Sequence, residues 1–293
     1  MILEQRYGAA QVVVRVTNVL LQHASTYHTT SVNDFRRELF RIGWTFICER
    51  RAVAALVNVL STVLWALDDV QSVDEMRRIV PEVVAKIRHQ LNQRVLDTAS
   101  HSLACLSSTQ RIITYGYSTT VQYALQHALR NGHRVHVTCV HTSHTDDIGA
   151  LVERISAIGL SVDVCDIESM CHTIPAYDAL LVGADTLDMY GLTNKRGTTK
   201  LVTCAAAHNV PVFTLCTSEK LLSNDFFHGT HTAWPLTDAP VYISTELPSE
   251  NDHTPLASIT SIITDRGALP GPAIEAWLAL VQLHPWLSGR GKI

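Results

Sequence analysis

At Arg111 the apolar pattern changes from a helical repeat to short apolar runs separated by helical stretches, which narrows the possible folds sharply. Candidate strands are Arg111–Thr114, Arg134–Val140, Ser161–Cys165, Ala179–Val182, Val212–Leu215 and Ser261–Thr264. Helical stretches follow at Thr119–Arg130, Ile148–Ile158, Thr198–His208 and Pro272–His284. Strands alternating with helices predict an α/β domain whose parallel sheet is covered on both faces. Ligands of such sheets sit at the carboxyl ends of the strands. The residues just after each strand are therefore the informative ones.

Before that switch the chain reads as helices. Val12, Val13, Val16, Val19 and Leu20 recur at spacings of three and four. Asn33 or Asp34 can cap a helix carrying Phe35, Leu39, Phe40 and Ile42, and the apolar stretch Ala52–Leu67 reads as a buried helix. Ser72-x-x-Glu75 has capping-box spacing ahead of a helix over Met76–Ser102, with Pro81 in its first turns. The expected organisation is a helical domain over 1–105 and a Rossmann-like domain with a phosphate-ligand pocket over 106–293.

The 293 residues suffice for two domains, and 46% hydrophobic content excludes a disordered chain. The net charge of -4 gives no broad cationic field, so no direct nucleic-acid binding is expected. No stretch of about 18 apolar residues exists and the start does not read as a signal peptide, so neither membrane nor export is expected. Cys48, Cys105, Cys139, Cys165, Cys171, Cys204 and Cys216 form no CxxC pair and read as reduced thiols of a cytoplasmic protein.

After the first strand, Gly116 permits a turn, and Ser118 or Thr119 can cap the next helix. Free amides at a positive helix end make a phosphate cradle, although the same residues suit an ordinary capped turn. The second strand is surrounded by His133, His136, His141 and His144, which stand on opposite ends of it. No metal is expected there; His144 is a candidate for an anion pocket or a solvated loop residue. After the fourth strand, Asp185 leaves a buried run, and a loop delivers Asn194, Lys195 and Arg196 to a helix opened by Gly197-Thr198. Acid, amide, cation and helix end together suit a phosphorylated polyol. Composition alone equally permits a structural cap at Asp185 and a surface charge at Lys195.

The last segment resembles the family of the alpha, beta and delta subunits of eukaryotic translation initiation factor 2B. That family also includes methylthioribose-1-phosphate and ribose-1,5-bisphosphate isomerases. Gly183-Ala184-Asp185 and Asn194-Lys195-Arg196-Gly197-Thr198 match its GAD…NKxGT pattern. Ile112-Ile113-Thr114-Tyr115, Val210-Pro211-Val212-Phe213 and Ile263-Thr264-Asp265-Arg266-Gly267 match further family segments, together covering about 110–275 in order. Arg50-Arg51 ahead of Ala54–Asn58 is similar to an arginine motif of the family's helical half, which makes Arg50 a candidate ligand contact.

The resemblance implies a catalytic acid at Asp185, phosphate contacts at Asn194 and Lys195, and a homodimer through the second half. It also exposes two departures. The isomerases carry a cysteine where this chain has Gly116, and an arginine where it has His144. Moving a carbonyl from C1 to C2 needs one group to deliver a proton and another to remove it, and Gly116 cannot titrate. The chain is therefore expected to be a non-catalytic sugar-phosphate or nucleotide-phosphate binding or regulatory protein, without cofactor. Two other readings are an isomerase acting on a phosphorylated pentose and a subunit of a translation-factor exchange complex.

Overall fold

The computed structural model describes residues 9–49, 54–106, 111–142, 148–229 and 250–288. Contacts within the chain divide it into two compact units. The first comprises Met1–Leu91, Glu219–Pro248 and Trp277–Ile293; the second comprises Asn92–Ser218 and Ser249–Ala276. Among the described residues, no helix is long and apolar enough to cross a membrane.

The first unit is helical. It contains α1 (Ala9–Thr26), α2 (Val32–Glu49), α3 (Ala54–Leu67), the first part of α4 (Val73–Leu106) and the short α9 (Asn224–Gly229). Val12, Val13, Val16 and Leu20 of α1 are buried against Phe35, Leu39 and Phe40 of α2 in one core with α3. The cap of α2 differs from expectation: the helix begins one residue before Asn33, and the Ser31 hydroxyl accepts the Asp34 amide. Gly43 lets α2 approach α3, because a Cβ there would lie 2.6 Å from Leu60 Cδ1. Arg36 donates to the carbonyls of Leu67 and Val70, closing the carboxyl end of α3. The Asn58 amide donates to the carbonyls of Glu219 and Leu221, which ties a segment from late in the chain to α3.

The second unit is built on a seven-stranded sheet. Its strands are β1 (Arg111–Tyr115), β2 (His136–His141), β3 (Ser161–Asp166), β4 (Ala179–Val182), β7 (Val212–Leu215), β9 (Ser261–Thr264) and β10 (Gly267–Leu269). Their order is β10-β9-β7-β4-β1-β2-β3, and all pairs are parallel except β10 with β9. Every residue of β4 is buried, so both faces of the sheet are covered there. Linking helices are α5 (Thr119–Arg130), α6 (Ile148–Ala157), α7 (Ile167–Thr173) and α8 (Thr198–Ala207). Val121, Ala124, Leu125 and Ala128 of α5 join Ile112, Val137, Leu181 and Leu215 of the strands in one apolar cluster.

A second sheet interrupts the connection expected to be a loop. Strands β5 (Thr186–Leu187), β6 (Gly191–Lys195) and β8 (Asn251–Pro255) form an antiparallel sheet in the order β5-β6-β8. Two other expectations are corrected. Cys171 of α7 and Cys204 of α8 are joined by a disulfide, so this pair is not a pair of reduced thiols. The final helix is also far shorter than Pro272–His284, since α10 covers only Glu275–Leu278 after a 3-10 turn.

His284, expected at the end of that helix, is instead fixed by the core. Its backbone amide donates to Ser61 Oγ at 2.8 Å instead of continuing a helix. Its ring is 3% exposed and packs edge-on to Trp65 and Trp286. Nδ1 accepts the Trp286 amide, so Nε2 carries the proton and donates to Asp68 Oδ1 at 3.1 Å. Replacing a buried ring that makes both bonds typically costs about 2–4 kcal/mol. We predict that His284→Ala lowers the urea midpoint of the helical unit, read by tryptophan fluorescence. An unchanged midpoint would refute this anchoring role.

Candidate functional site

The strand order of the large sheet reverses at β1, which pairs with β2 on one side and β4 on the other. Two loops that leave in opposite directions open a crevice at such a point. Here they are Gly116–Ser118 after β1 and Gly183–Asp185 after β4. They lie in close contact: a Cβ on Gly183 would stand 2.6 Å from Ser118 Oγ. Ser118 caps α5 by accepting the Val121 amide, while Thr119 opens the helix.

Gly116 has a φ of +71°, a left-handed conformation that disfavours side chains. A Cβ at that position would lie 3.6 Å from Lys195 Cδ, so the Lys195 stem covers the glycine. Lys195 reaches this place as the last residue of β6, not from a loop. Asn194, its neighbour, is 9% exposed and donates to Thr198 Oγ1, which in turn donates to the Lys195 carbonyl. Asp185 is half-buried; its amide donates to the Thr193 carbonyl and its Oδ2 accepts from Asn251 Nδ2 at 3.3 Å. The structure thus gathers Gly116, Ser118, Thr119, Asp185, Asn194 and Lys195 at the strand ends. Arg50 and His144 lie outside the described residues.

Three contributors were not foreseen. Asp252 of β8 accepts the amides of Gly197 (2.9 Å) and Thr199 (3.2 Å) on one carboxylate oxygen, Oδ2. Its Oδ1 is buried and has no hydrogen-bond partner among the described residues. The protein's own carboxylate thereby meets the amides at the start of α8. Asn251, next to it, is the donor to Asp185. Arg154 of α6 donates to the Tyr117 hydroxyl at 2.6 Å and lies over its ring at 4.7 Å, one residue beyond Gly116. None of the three stands near a recognisable motif in sequence, and Asp252 acts across 55 residues.

Stand-ins for a titrating group at Gly116 are scarce. The Tyr115 hydroxyl donates to the Arg196 carbonyl, and a Cβ on Gly197 would lie 2.6 Å from that hydroxyl. Cys139 lies within β2, where burial pushes its thiol up to about 12. Burial also raises the Cys105 thiol. Both effects keep the sulfur protonated and weakly nucleophilic. His136, of the histidine group, is engaged by Ser161 Oγ and Asp163 Oδ2.

The sequence matches the Initiation factor 2 subunit family over residues 5–271. It is 24% identical over 277 residues to ribose 1,5-bisphosphate isomerase of Archaeoglobus fulgidus, covering 90% of this chain and 85% of that one. The fold is similar to that of the Pyrococcus horikoshii OT3 translation initiation factor eIF-2B. There the TM-score is 0.73 at 18% identity, over 92% of this chain and 94% of the other. It is also similar to 5-methylthioribose 1-phosphate isomerase of the same organism, with a TM-score of 0.66 at 20% identity. That likeness covers 95% of this chain and 85% of the other. With the GAD…NKxGT segments converging at the strand-order reversal and the match spanning most of the chain, the protein belongs to the Initiation factor 2 subunit family.

Proposed function

We propose that this chain is a non-catalytic member of its family that binds a sugar phosphate or nucleotide phosphate in the crevice between β1 and β4. The observation that carries the reading is Gly116 beneath the Lys195 stem. A cation and polar groups remain at this position, and the side chain that would exchange a proton opposite Asp185 is missing. With Asp252 on the α8 amides, anion binding falls to Lys195, to the start of α5 at Ser118 and Thr119, and to Arg154 beside Tyr117. Asp185 and Asn251 then offer an acceptor and a donor to ligand hydroxyls.

A second reading, an aldose–ketose isomerase, is favoured by the retained Asp185 and by the isomerase among the relatives. Losing one proton-transfer partner costs about 10²–10⁴-fold in rate. Turnover of ribose 1,5-bisphosphate and methylthioribose 1-phosphate by the purified protein is therefore expected to be negligible. Robust turnover that disappears in Asp185→Asn would establish the isomerase instead.

Homodimer formation belongs to the same proposal, carried by family resemblance. Ile274 and Leu278, near the end of the chain, are both buried within it and so are not free to form such an interface. Light scattering is expected to give twice 32.4 kDa at micromolar concentration; a monomer would count against a dimer.

Binding itself is tested by thermal shift. Ribose 5-phosphate and adenosine monophosphate should raise Tm through mass action, by about 2.7 kcal/mol of stabilisation at one hundred times Kd. Lys195→Ala should abolish the shift while leaving the unliganded Tm close to wild type. An equal shift in both proteins would remove Lys195 from the site.

A further inference from the structure

Helix α8 begins just beyond the ligand candidates Asn194 and Lys195 and carries a covalent cross-link further along. Thr198 opens the helix and is hydrogen-bonded to both Asn194 and Lys195. Six residues on, about 9 Å along the helix axis, Cys204 is joined to Cys171 of α7 with Cα atoms 5.5 Å apart. Lys200 pairs with Glu168 of the same helix α7. The two links connect 168 to 200 and 171 to 204, positions three apart on α7 and four apart on α8, so both lie on facing stripes. The start of α7 is fixed separately, where Asp166 Oδ1 accepts the amides of Glu168 and Ser169.

We infer that Cys171 and Cys204 form a reversible redox clamp that holds α8 in register with α7 and thereby sets how firmly Asn194 and Lys195 are presented to a ligand. This rests on the phosphate-site reading above. With the bond closed, a covalent rung and an ion pair fix the body of the helix. With it open, the Glu168–Lys200 pair remains; both its side chains are largely exposed, and such pairs are weak. Packing of α7 on α8 keeps the two thiols within reach of each other, which allows the bond to re-form. Cys171 and Cys204 are half-buried rather than sealed, so a small thiol reaches them. Cys139, by contrast, is fully buried with its thiol raised to about 12.

The chemistry balances by thiol–disulfide exchange with a small-molecule disulfide of the glutathione class. One protein thiolate attacks the small disulfide, forming a mixed disulfide and releasing one small thiol. The second protein thiolate then attacks the protein sulfur of that mixed disulfide, releasing the other small thiol. Two protein thiols are oxidised to one disulfide, and one small disulfide is reduced to two thiols.

The test uses the whole protein and the Cys171→Ser variant, each equilibrated with oxidised or reduced glutathione. In the oxidised wild type, mass spectrometry of peptides should find Cys171 linked to Cys204, and reduction should add two hydrogen atoms. Tm should fall by roughly 5 °C or more on reduction. Amide exchange at Thr198–Thr203 should become faster, and Kd for ribose 5-phosphate should rise about 2–10-fold as ordering is lost. The variant should behave as reduced wild type in both conditions. A dithiol that persists in oxidised glutathione, or α8 exchange unaffected by redox state, would overturn the clamp. Equal Kd in the two wild-type forms would overturn its control of the site while leaving the phosphate-site reading intact. Absence of a Tm shift with ribose 5-phosphate in either form would overturn that reading and the control together.

Discussion

The parallel pairing of Ile112–Tyr115 with Ala179–Val182 is the contact on which the crevice depends. It makes β1 the strand from which the order turns outward in both directions, so the chains leaving β1 and β4 diverge. The register also sets Tyr115 opposite Val182, which brings Gly116 level with Gly183. Both strands are held by burial: all four paired residues of β4 are enclosed, as are Ile112, Ile113, Thr114 and Tyr115 of β1. Moving either strand by one residue would turn its side chains to the opposite face. The crevice between β1 and β4 is thus positioned by the sheet core, and Asn194 and Lys195 are added to it by β6.

Central strands were legible because burial on both faces writes them as unbroken apolar runs. Ala179–Val182, Val212–Leu215 and Ser261–Thr264 have the boundaries read from sequence. The small sheet left no such trace. Asn251-Asp252-His253-Thr254-Pro255 has no apolar alternation, and it becomes β8 through pairing with β6 alone. Asn194 and Lys195 were recognised by motif, yet their delivery on a strand depended on that unseen partner. The cap of α8 was hidden for the same reason. Gly197 has no side chain to serve as one, so Asp252 supplies the oxygen from the neighbouring strand. The Cys171–Cys204 pairing likewise follows from helix packing, which spacing along the chain does not encode.

The site's electrostatics follow from β8. A carboxylate on the α8 amides satisfies donors that would otherwise be free for an anion. A phosphate at that helix start would have to displace Asp252. The α5 start is different, because its capping side chain is the neutral Ser118 and its neighbour Arg154 is cationic. Under the binding function proposed above, this asymmetry between two helix starts favours the polyol on the Asp185 and Asn251 side and the phosphate on the Lys195 and Arg154 side.

Gly116 is more than a deleted side chain. At φ +71° an L-residue bears roughly 1–2 kcal/mol of backbone cost, which glycine escapes. The turn after β1 has therefore settled into a shape that suits the residue present, and the Lys195 stem lies 3.6 Å from where a Cβ would stand. A cysteine placed at this position would meet adequate space but an unfavourable backbone. The residue at 116 and the conformation of the turn are thus coupled, so a side chain introduced there acts on the backbone as well as on the crevice.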